Sequence, residues 1–306
     1  MTTEKQLKQQ VQNGKMIEST DEMTEGYEKA LKQILTVSGD TELMSAPAYY
    51  EQSLNAPSPN ARASCISVIQ DELGHGHIAY RLLEDLGEDR QELVYGREPH
   101  EFRNTYGFDQ HIDNFAELVT AHGLFDRAGI VLLGDIHENT SYAPWKRALT
   151  KVNKEEQFHL RHGETWMRRL ANKNEKTNEK VQESVDWMFP IAIEWFGLPD
   201  DKKKHDDQLE YRIKGKSNDE LRQDWLSRAM PLVDELGLDV PAHYDEERDE
   251  YVLNYEFPVA FDEANKTWRY DEPISWDDVI DRWRARGPAN EKYVNLIQSG
   301  KVDVGV

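Results

Sequence analysis

Two Glu-x-x-His pairs, Glu72 with His75 and Glu156 with His159, lie within apolar stripes of helical periodicity. The stripes consist of Ile66, Ile69, Leu73, Ala79 and Leu83 around the first pair, and of Leu149, Val152, Leu160, Met167 and Leu170 around the second. Side chains three or four residues apart share one helix face, so each pair directs a carboxylate and an imidazole inward. A buried carboxylate is costly unless a positive charge neutralises it, and the neighbouring stripes contain no Lys or Arg. A metal ion between helices is therefore the expected partner.

The segments that carry these pairs are two of four predicted long helices. The pattern predicts a first helix from near Asp21 that stops near Pro47, and a second that starts at Pro59 and ends at Gly87. A third and a fourth helix are predicted over 112–139 and 142–172, after a long polar crossover at 88–110. Four long helices with one long central connection are typical of a ferritin-like bundle.

The complete prediction is an all-α protein with a ferritin-like four-helix bundle at residues 21–172. Residues 1–20 are polar and are expected to be loosely held, and residues 173–240 are expected to form additional helices packed on the bundle. Residues 241–306 are predicted to be a C-terminal extension for subunit contacts, with a small hairpin within 244–270 and a short helix at 275–285.

Two further carboxylates complete a recognised ligand pattern for a pair of metal ions. In that pattern each of two helices contributes one carboxylate, and each of the other two contributes a Glu-x-x-His pair. Glu42 is in phase with the first apolar stripe, although a lone Glu there can also mark the polar edge of the stripe. Asp126 is the single carboxylate in the apolar part of the third helix. Four carboxylates and two histidines would neutralise two divalent irons. Asp71 and Glu155 each precede a ligand and are expected at the surface or as partners that orient a ligating histidine.

Composition excludes several classes of protein. The chain has 306 residues and a net charge of −21, which argues against binding to nucleic acid or to an anionic membrane. The single cysteine, Cys65, can form neither an internal disulfide nor a cysteine-based metal cluster. The N-terminus has no apolar leader, and no apolar run is long enough to cross a membrane. We therefore expect a cytoplasmic protein.

The strings QDELGHGH at 70–77 and KEEQFHLRHG at 154–163 resemble those of the catalytic A subunits of ring-1,2-phenylacetyl-CoA epoxidase, a bacterial multicomponent monooxygenase. The likeness extends to TSYAP, SNDELRQ and MPLVDELGLDVP, and covers most of residues 20–245. The stretch after Glu42 (LMSAPAYYEQSLNA) departs from the family's pattern, and it is expected to approach the substrate.

The resemblance implies a carboxylate-bridged diiron centre. It assigns Glu72 and Glu156 as bridging carboxylates, His75 and His159 as one imidazole for each iron, and Glu42 and Asp126 as terminal ligands, with catalytic roles for Glu72, Glu156 and Asp126. Arg62, Lys146, Arg147 and Lys151 are candidates for contacts with the coenzyme A phosphates, although a solvated surface explains each of them as well.

The implied reaction is epoxidation of the aromatic ring of phenylacetyl-CoA, or of a related aryl-CoA, by O₂ during aerobic phenylacetate degradation. The chain shows no flavin, nicotinamide or iron–sulfur motif, so a separate flavin/iron–sulfur reductase would supply electrons from NADPH. The family also implies a homologous helical subunit without ligands and a small bridging subunit. Two alternatives remain: a diiron protein of another class, namely a ferroxidase or a radical-generating subunit with a Tyr near the metals, and a metal-free structural partner subunit.

Overall fold

The computed structural model describes residues 2–300, which form mostly helices and two small hairpins. The helices are α1 (Glu4–Gln12), α2 (Glu25–Ser53), α3 (Pro59–Asp85), α4 (Phe115–Asn139), α5 (Ala143–Ala171), α6 (Glu175–Glu194), α7 (Asp207–Glu210), α8 (Asn218–Leu236), α9 (Trp276–Ala285) and α10 (Asn290–Ser299). The strands are β1 (Ala242–Asp245), β2 (Glu250–Leu253), β3 (Val259–Asp262) and β4 (Thr267–Pro273).

Helices α2 to α5 form the four-helix bundle, in which α2 packs along α3 and α4 packs along α5. Side chains at the helix starts explain the boundaries: Thr24, Ser58 and Asn114 each accept a hydrogen bond from a backbone N–H in the first turn. Pro59 occupies the first position of α3, where its missing N–H costs nothing. The prediction of an all-α, ferritin-like bundle with additional C-terminal helices is confirmed.

The first long helix does not stop near Pro47, as the sequence suggested, but continues to Ser53. A proline inside a helix removes one backbone hydrogen bond and costs about 3 kcal/mol. Residues 43–49 are all buried, so their packing outweighs that cost. The extra turns carry Tyr49 into the bundle core, where its side chain is fully buried.

Residues 1–20, expected to be loosely held, instead contain helix α1, which is anchored to the rest of the chain. The side chains of Thr3 and Gln6 form a capping box at its start, and Leu7 and Val11 are fully buried. After the helix, Ile17 forms a parallel bridge with Tyr142 at the start of α5. The four-residue spacing of Leu7 and Val11 was the sequence signal for this contact.

The C-terminal part has more regular structure than predicted. Two antiparallel hairpins, β1–β2 and β3–β4, replace the one expected, and α10 follows the predicted short helix. The chain then returns to the crossover between α3 and α4: Ala289 N donates to Asp109 O at 2.8 Å, and Asn290 Nδ2 donates to Asp109 Oδ1 at 3.0 Å. Within residues 2–300, no helix has both the length and the apolar composition needed to cross a bilayer.

A buried carboxylate, Asp40, fastens the crossover to α2. Its Oδ1 accepts a hydrogen bond from Tyr80 Oη at 2.6 Å. Its Oδ2 accepts from Arg97 Nη1 at 2.9 Å and from the backbone N of Arg103 at 2.6 Å. Asp40 is fully buried, so these donors together replace the water that the carboxylate loses.

Helices α4 and α5 are in close contact at Gly163, where a side chain would have no room. A Cβ atom there would lie 2.5 Å from Gly123 N and 2.7 Å from the carbonyl carbon of His122. We expect Gly163→Ala to lower the free energy of unfolding by about 1–3 kcal/mol, because backbone must move to admit the methyl group. Denaturant titration measures this change.

The matched control for Gly163→Ala is Gly134→Ala on α4. No heavy atom lies within 4 Å of a Cβ built at Gly134, so this substitution should leave stability unchanged or raise it by up to about 1 kcal/mol. Equal stability of the two variants would contradict the close helix contact.

Candidate metal centre

The four bundle helices bring all six predicted ligand side chains together. One group consists of Glu42 from α2, Glu72 and His75 from α3, and Glu156 from α5, and the other consists of Glu72, Asp126 from α4 and His159 from α5. In each group the potential ligand atoms lie within 4.8 Å of one another. Glu72 belongs to both groups, so the arrangement suits two adjacent ions with a shared carboxylate.

Each histidine directs its Nδ1 atom into this cluster. His75 Nδ1 lies 3.0 Å from Glu156 Oε1 and 3.5 Å from Glu42 Oε2. His159 Nδ1 lies 3.0 Å from Glu72 Oε1 and 3.5 Å from Glu156 Oε1. Each histidine therefore faces a glutamate of the opposite helix. The Glu42 side chain is the least enclosed of these, with 12% of its surface exposed.

Several polar atoms of the cluster are buried without a hydrogen-bond partner among the described residues. These atoms are Glu72 Oε1, His75 Nδ1, Asp126 Oδ2, Glu156 Oε1 and His159 Nδ1. Buried polar groups in proteins are nearly always paired, so a convergent set of unpaired oxygen and nitrogen atoms needs a further partner. Carboxylate oxygen and imidazole nitrogen are ligands that iron accepts, and the number and helix placement of the donors fit a diiron centre.

The electrostatics of the cluster reflect crowded carboxylates beside two imidazoles. Burial, together with the charges of Glu42 and Glu156, raises the pKa of Glu72 to about 8. Burial also raises the pKa of Glu156, but the charges of His159 and His75 outweigh it and lower that pKa to about 2. Protonated histidines thus compensate the carboxylates, and a bound cation would displace their protons.

A carboxylate outside the cluster holds the remaining ring nitrogen of each histidine. His75 Nε2 lies 3.1 Å from Glu155 Oε2, and His159 Nε2 lies 3.3 Å from Asp71 Oδ2. Glu155 precedes the ligand Glu156 on α5 but contacts His75 of α3. Asp71 precedes the ligand Glu72 on α3 but contacts His159 of α5, so each carboxylate orients the histidine of the other helix. A proton on Nε2 leaves Nδ1 free for a metal. Of the two expectations for Asp71 and Glu155, these contacts favour partners that orient the histidines over simple surface positions.

We expect Glu155→Ala to weaken iron binding by about 10–100-fold, because His75 would lose the partner that fixes its ring and tautomer. Competition with a chelator of known iron affinity measures this loss. The control is Glu179→Ala, which removes an exposed carboxylate of α6 that belongs to neither group of potential ligands. Unchanged affinity in Glu155→Ala would show that the contact with His75 does not support metal binding.

Two side chains of α2 that the sequence did not indicate also contact the cluster. Ser45 Oγ donates to Glu72 Oε2 at 2.7 Å, and Tyr49 Oη donates to Asp126 Oδ1 at 2.6 Å. They follow Glu42 by three and seven residues, so they share its helix face. This spacing was the available signal, and for Tyr49 it was lost because the first helix was predicted to stop near Pro47, two residues before it.

A pair of histidines lies beside the cluster without joining either group of potential ligands. His122 Nδ1 and His162 Nδ1 are 3.1 Å apart, and the His122 ring packs edge-on against Tyr49. Burial and, to a smaller extent, the charges of His159 and Arg169 lower the pKa of His162 to about 4. His122 therefore packs beside the cluster and is not among the potential ligands.

Each of the four cations that were predicted to contact coenzyme A contacts a different acceptor within this chain. Arg62 donates to the backbone oxygen of Leu54, and Lys146 donates to that of Glu138 at 2.8 Å. Arg147 pairs with Glu18 at 2.9 Å, and Lys151 pairs with Glu155 at 2.8 Å. These contacts leave the role of the four side chains in substrate binding as a prediction.

Comparison with known proteins points to the family that the strings at 70–77 and 154–163 resemble. The family described as "Phenylacetic acid catabolic protein" matches residues 1–276. The chain is 29% identical over 255 residues to the A subunit of 1,2-phenylacetyl-CoA epoxidase from Escherichia coli (strain K12), and this match covers 82% of each chain. It is 24% identical over 206 residues to the C subunit of the same organism's enzyme, a match that covers 66% of this chain and 81% of the relative.

Proposed function

Because the chain belongs to the phenylacetic acid catabolic protein family, we propose that it is the catalytic subunit of a diiron monooxygenase that epoxidises the aromatic ring of phenylacetyl-CoA. The observation that carries this proposal is the convergence of four carboxylates and two histidines in the bundle core. A structural partner would have no need for such a costly buried cluster. The identity with the A subunit of the Escherichia coli enzyme is higher than that with its C subunit, which favours the catalytic role.

In this proposal the two irons would be held by four carboxylates and two imidazoles, those of Glu42, Glu72, Asp126 and Glu156 and of His75 and His159. When bound, the metal pair would supply the activation of O₂ and the redox chemistry that no side chain can provide.

The other residues of the chain hold these ligands in place. Asp71 and Glu155 retain the Nε2 protons of the histidines, which keeps both Nδ1 atoms directed inward. Ser45 fixes one oxygen of Glu72, and Tyr49 fixes one oxygen of Asp126, so each carboxylate keeps its other oxygen available. The packed bundle core around the cluster limits the access of water.

The proposed reaction needs partner proteins in addition to this chain. Electrons would come from NADPH through a separate flavin/iron–sulfur reductase, and the complex would include a homologous helical subunit and a small bridging subunit. The C-terminal extension at 241–306 is proposed to contact them. Tyr244 on β1 and Tyr270 on β4 support this role, because both side chains are exposed aromatics on the hairpins.

The decisive experiment supplies the iron-loaded protein, together with its partner subunits and reductase, with phenylacetyl-CoA, NADPH and heavy-isotope-labelled O₂. Mass spectrometry should detect a product that has gained one labelled oxygen atom. Turnover of only a non-aryl acyl-CoA would redirect the substrate assignment. Incorporation of oxygen from water instead of O₂ would contradict a monooxygenase.

A radical-generating subunit is the second candidate, and the contact between Tyr49 and Asp126 favours it. The Tyr49 hydroxyl lies 2.6 Å from Asp126 Oδ1, so it could lose its proton to that carboxylate as it is oxidised. Adding O₂ to the ferrous-loaded protein should then produce a tyrosyl signal in electron paramagnetic resonance. The signal should vanish in Tyr49→Phe but persist in Tyr50→Phe, which changes an exposed neighbour. Absence of the signal in the unchanged protein would exclude this candidate.

A further inference from the structure

A cavity of about 330 Å³ lies between the crossover, the C-terminal end of α6, and α9. We call it the α6–α9 cavity. Its lining comes mainly from residues 103–106, 191–197 and 280–286, together with Val37 of α2. None of the six side chains of the candidate metal centre lines it. A volume of this size falls within the range of sites that hold small organic ligands.

Aromatic rings from three separate segments line the α6–α9 cavity. They are Tyr106 of the crossover, Trp195 and Phe196 after α6, and Trp283 of α9. Neighbouring rings hold Trp195 in place, since its centroid lies 5.8 Å from that of Phe108 and 5.8 Å from that of Phe125. Fixed aromatic walls favour a planar ring, which they can contact face-on or edge-on.

The charge of the lining is opposite to that of the whole chain. Three arginines, Arg103, Arg284 and Arg286, line the cavity against one acidic residue, Glu194, in a chain with a net charge of −21. Glu194, Arg284 and Arg286 already have ionic partners, in Arg282, Asp281 and Asp109 respectively. The Arg103 guanidinium has no carboxylate partner within residues 2–300. It is therefore the cation best placed to receive an anion.

Five buried polar atoms of the lining residues lack a hydrogen-bond partner within the described part of the chain. They are Asn104 Oδ1, Thr105 Oγ1, Glu194 Oε1, Trp283 Nε1 and Arg286 Nε. The Glu194 side chain is only 2% exposed and that of Arg286 only 6% exposed, so bulk water does not satisfy them freely. This mixed set of acceptors and donors beside an aromatic-walled cavity indicates a ligand with polar atoms on or near its ring.

We propose that the α6–α9 cavity binds a planar aromatic group that carries an anionic group, with the ring against the aromatic walls and the anion at Arg103. Two sources share this chemistry: a small aryl carboxylate and the phosphorylated adenosine of a nucleotide. The first fits within the cavity alone. The second would extend past Arg103 into the groove along α2, which shares Val37 and Arg103 with the cavity and also contains Lys29. The proposal does not depend on the epoxidase function.

Titration of the full chain by calorimetry tests this proposal, with phenylacetate in one arm and adenosine 3′,5′-bisphosphate in the other. Arg103→Ala should weaken binding of the true ligand about 10-fold or more, because a charge-assisted contact is lost. Lys29→Ala should weaken binding only if the ligand is the nucleotide. Arg90→Ala is the matched control, since it removes another arginine of the same crossover that does not line the cavity.

The two possible ligands, an aryl carboxylate and a nucleotide, predict different results in this titration. Phenylacetate binding that depends on Arg103 but not on Lys29 identifies an aryl carboxylate site, and nucleotide binding that depends on both identifies a nucleotide site. Binding that is absent in both arms, or that Arg103→Ala leaves unchanged, overturns the proposal. Circular dichroism and iron content equal to those of the unchanged protein establish that each variant folds. Because binding is measured without turnover, the result is independent of any failure of the epoxidase assay.

Discussion

Glu72→Ala is expected to reduce the bound iron from about two ions per chain to well below one, while the helical circular dichroism persists. Glu72 belongs to both groups of potential ligands, so its loss removes a donor from each metal position at once. His159 belongs to only one of the groups, and His159→Ala should also lose iron. Metal analysis after expression with added iron measures the content of each variant.

The control for these variants is His77→Ala, which removes a histidine of the same helix whose side chain is exposed. It should keep the full iron content. If Glu72→Ala binds as much iron as the unchanged chain, the six side chains do not form the metal centre. If the unchanged chain binds no iron, the structural-subunit alternative gains support.

Asp40→Ala is expected to lower the free energy of unfolding by about 3–5 kcal/mol. The substitution leaves Arg97 with a largely buried charge, because its side chain is only 11% exposed. It also removes the acceptor for Tyr80 Oη and for the backbone N of Arg103. Denaturant unfolding followed by circular dichroism measures the loss.

Asp85→Ala is the control for Asp40→Ala, because the Asp85 side chain is 50% exposed and its contact with Arg81 is at the surface. This variant should change stability by less than about 1 kcal/mol. A double replacement of Asp40 and Arg97 by leucine should recover part of the loss, since no unpaired charge remains buried. A loss in Asp40→Ala no larger than that in Asp85→Ala would refute the role assigned to the buried pair.

The sequence was sufficient to predict the bundle and the convergence of its inward carboxylates. Apolar periodicity fixed which face of each helix is buried, and the positions of Glu72 and Glu156 on those faces followed from it. Glu42 and Asp126 could be selected because an unpaired carboxylate within an apolar stripe is rare and costly.

The contacts made by Asp40 and Tyr49 could not be predicted from the sequence. Asp40 is compensated by Arg97, which is distant in the chain, and helical spacing says nothing about such a partner. Tyr49 lies beyond Pro47, where local propensity favours the end of a helix and only tertiary packing continues it. Helix α10 was not predicted for the same reason, namely that tertiary packing decides its formation. This short helix depends on burial of Tyr293 and Val294.

Because the C-terminal part returns to Asp109, the metal centre and the α6–α9 cavity are completed at different times during synthesis. All six cluster side chains lie within the first 171 residues, up to the end of α5. During synthesis the N-terminal part emerges first, so the bundle can assemble before α9 leaves the ribosome. The α6–α9 cavity needs Arg286 and is complete only when nearly the whole chain has been made. Metal binding would therefore need only the N-terminal bundle, whereas ligand binding in the α6–α9 cavity would need the nearly complete chain.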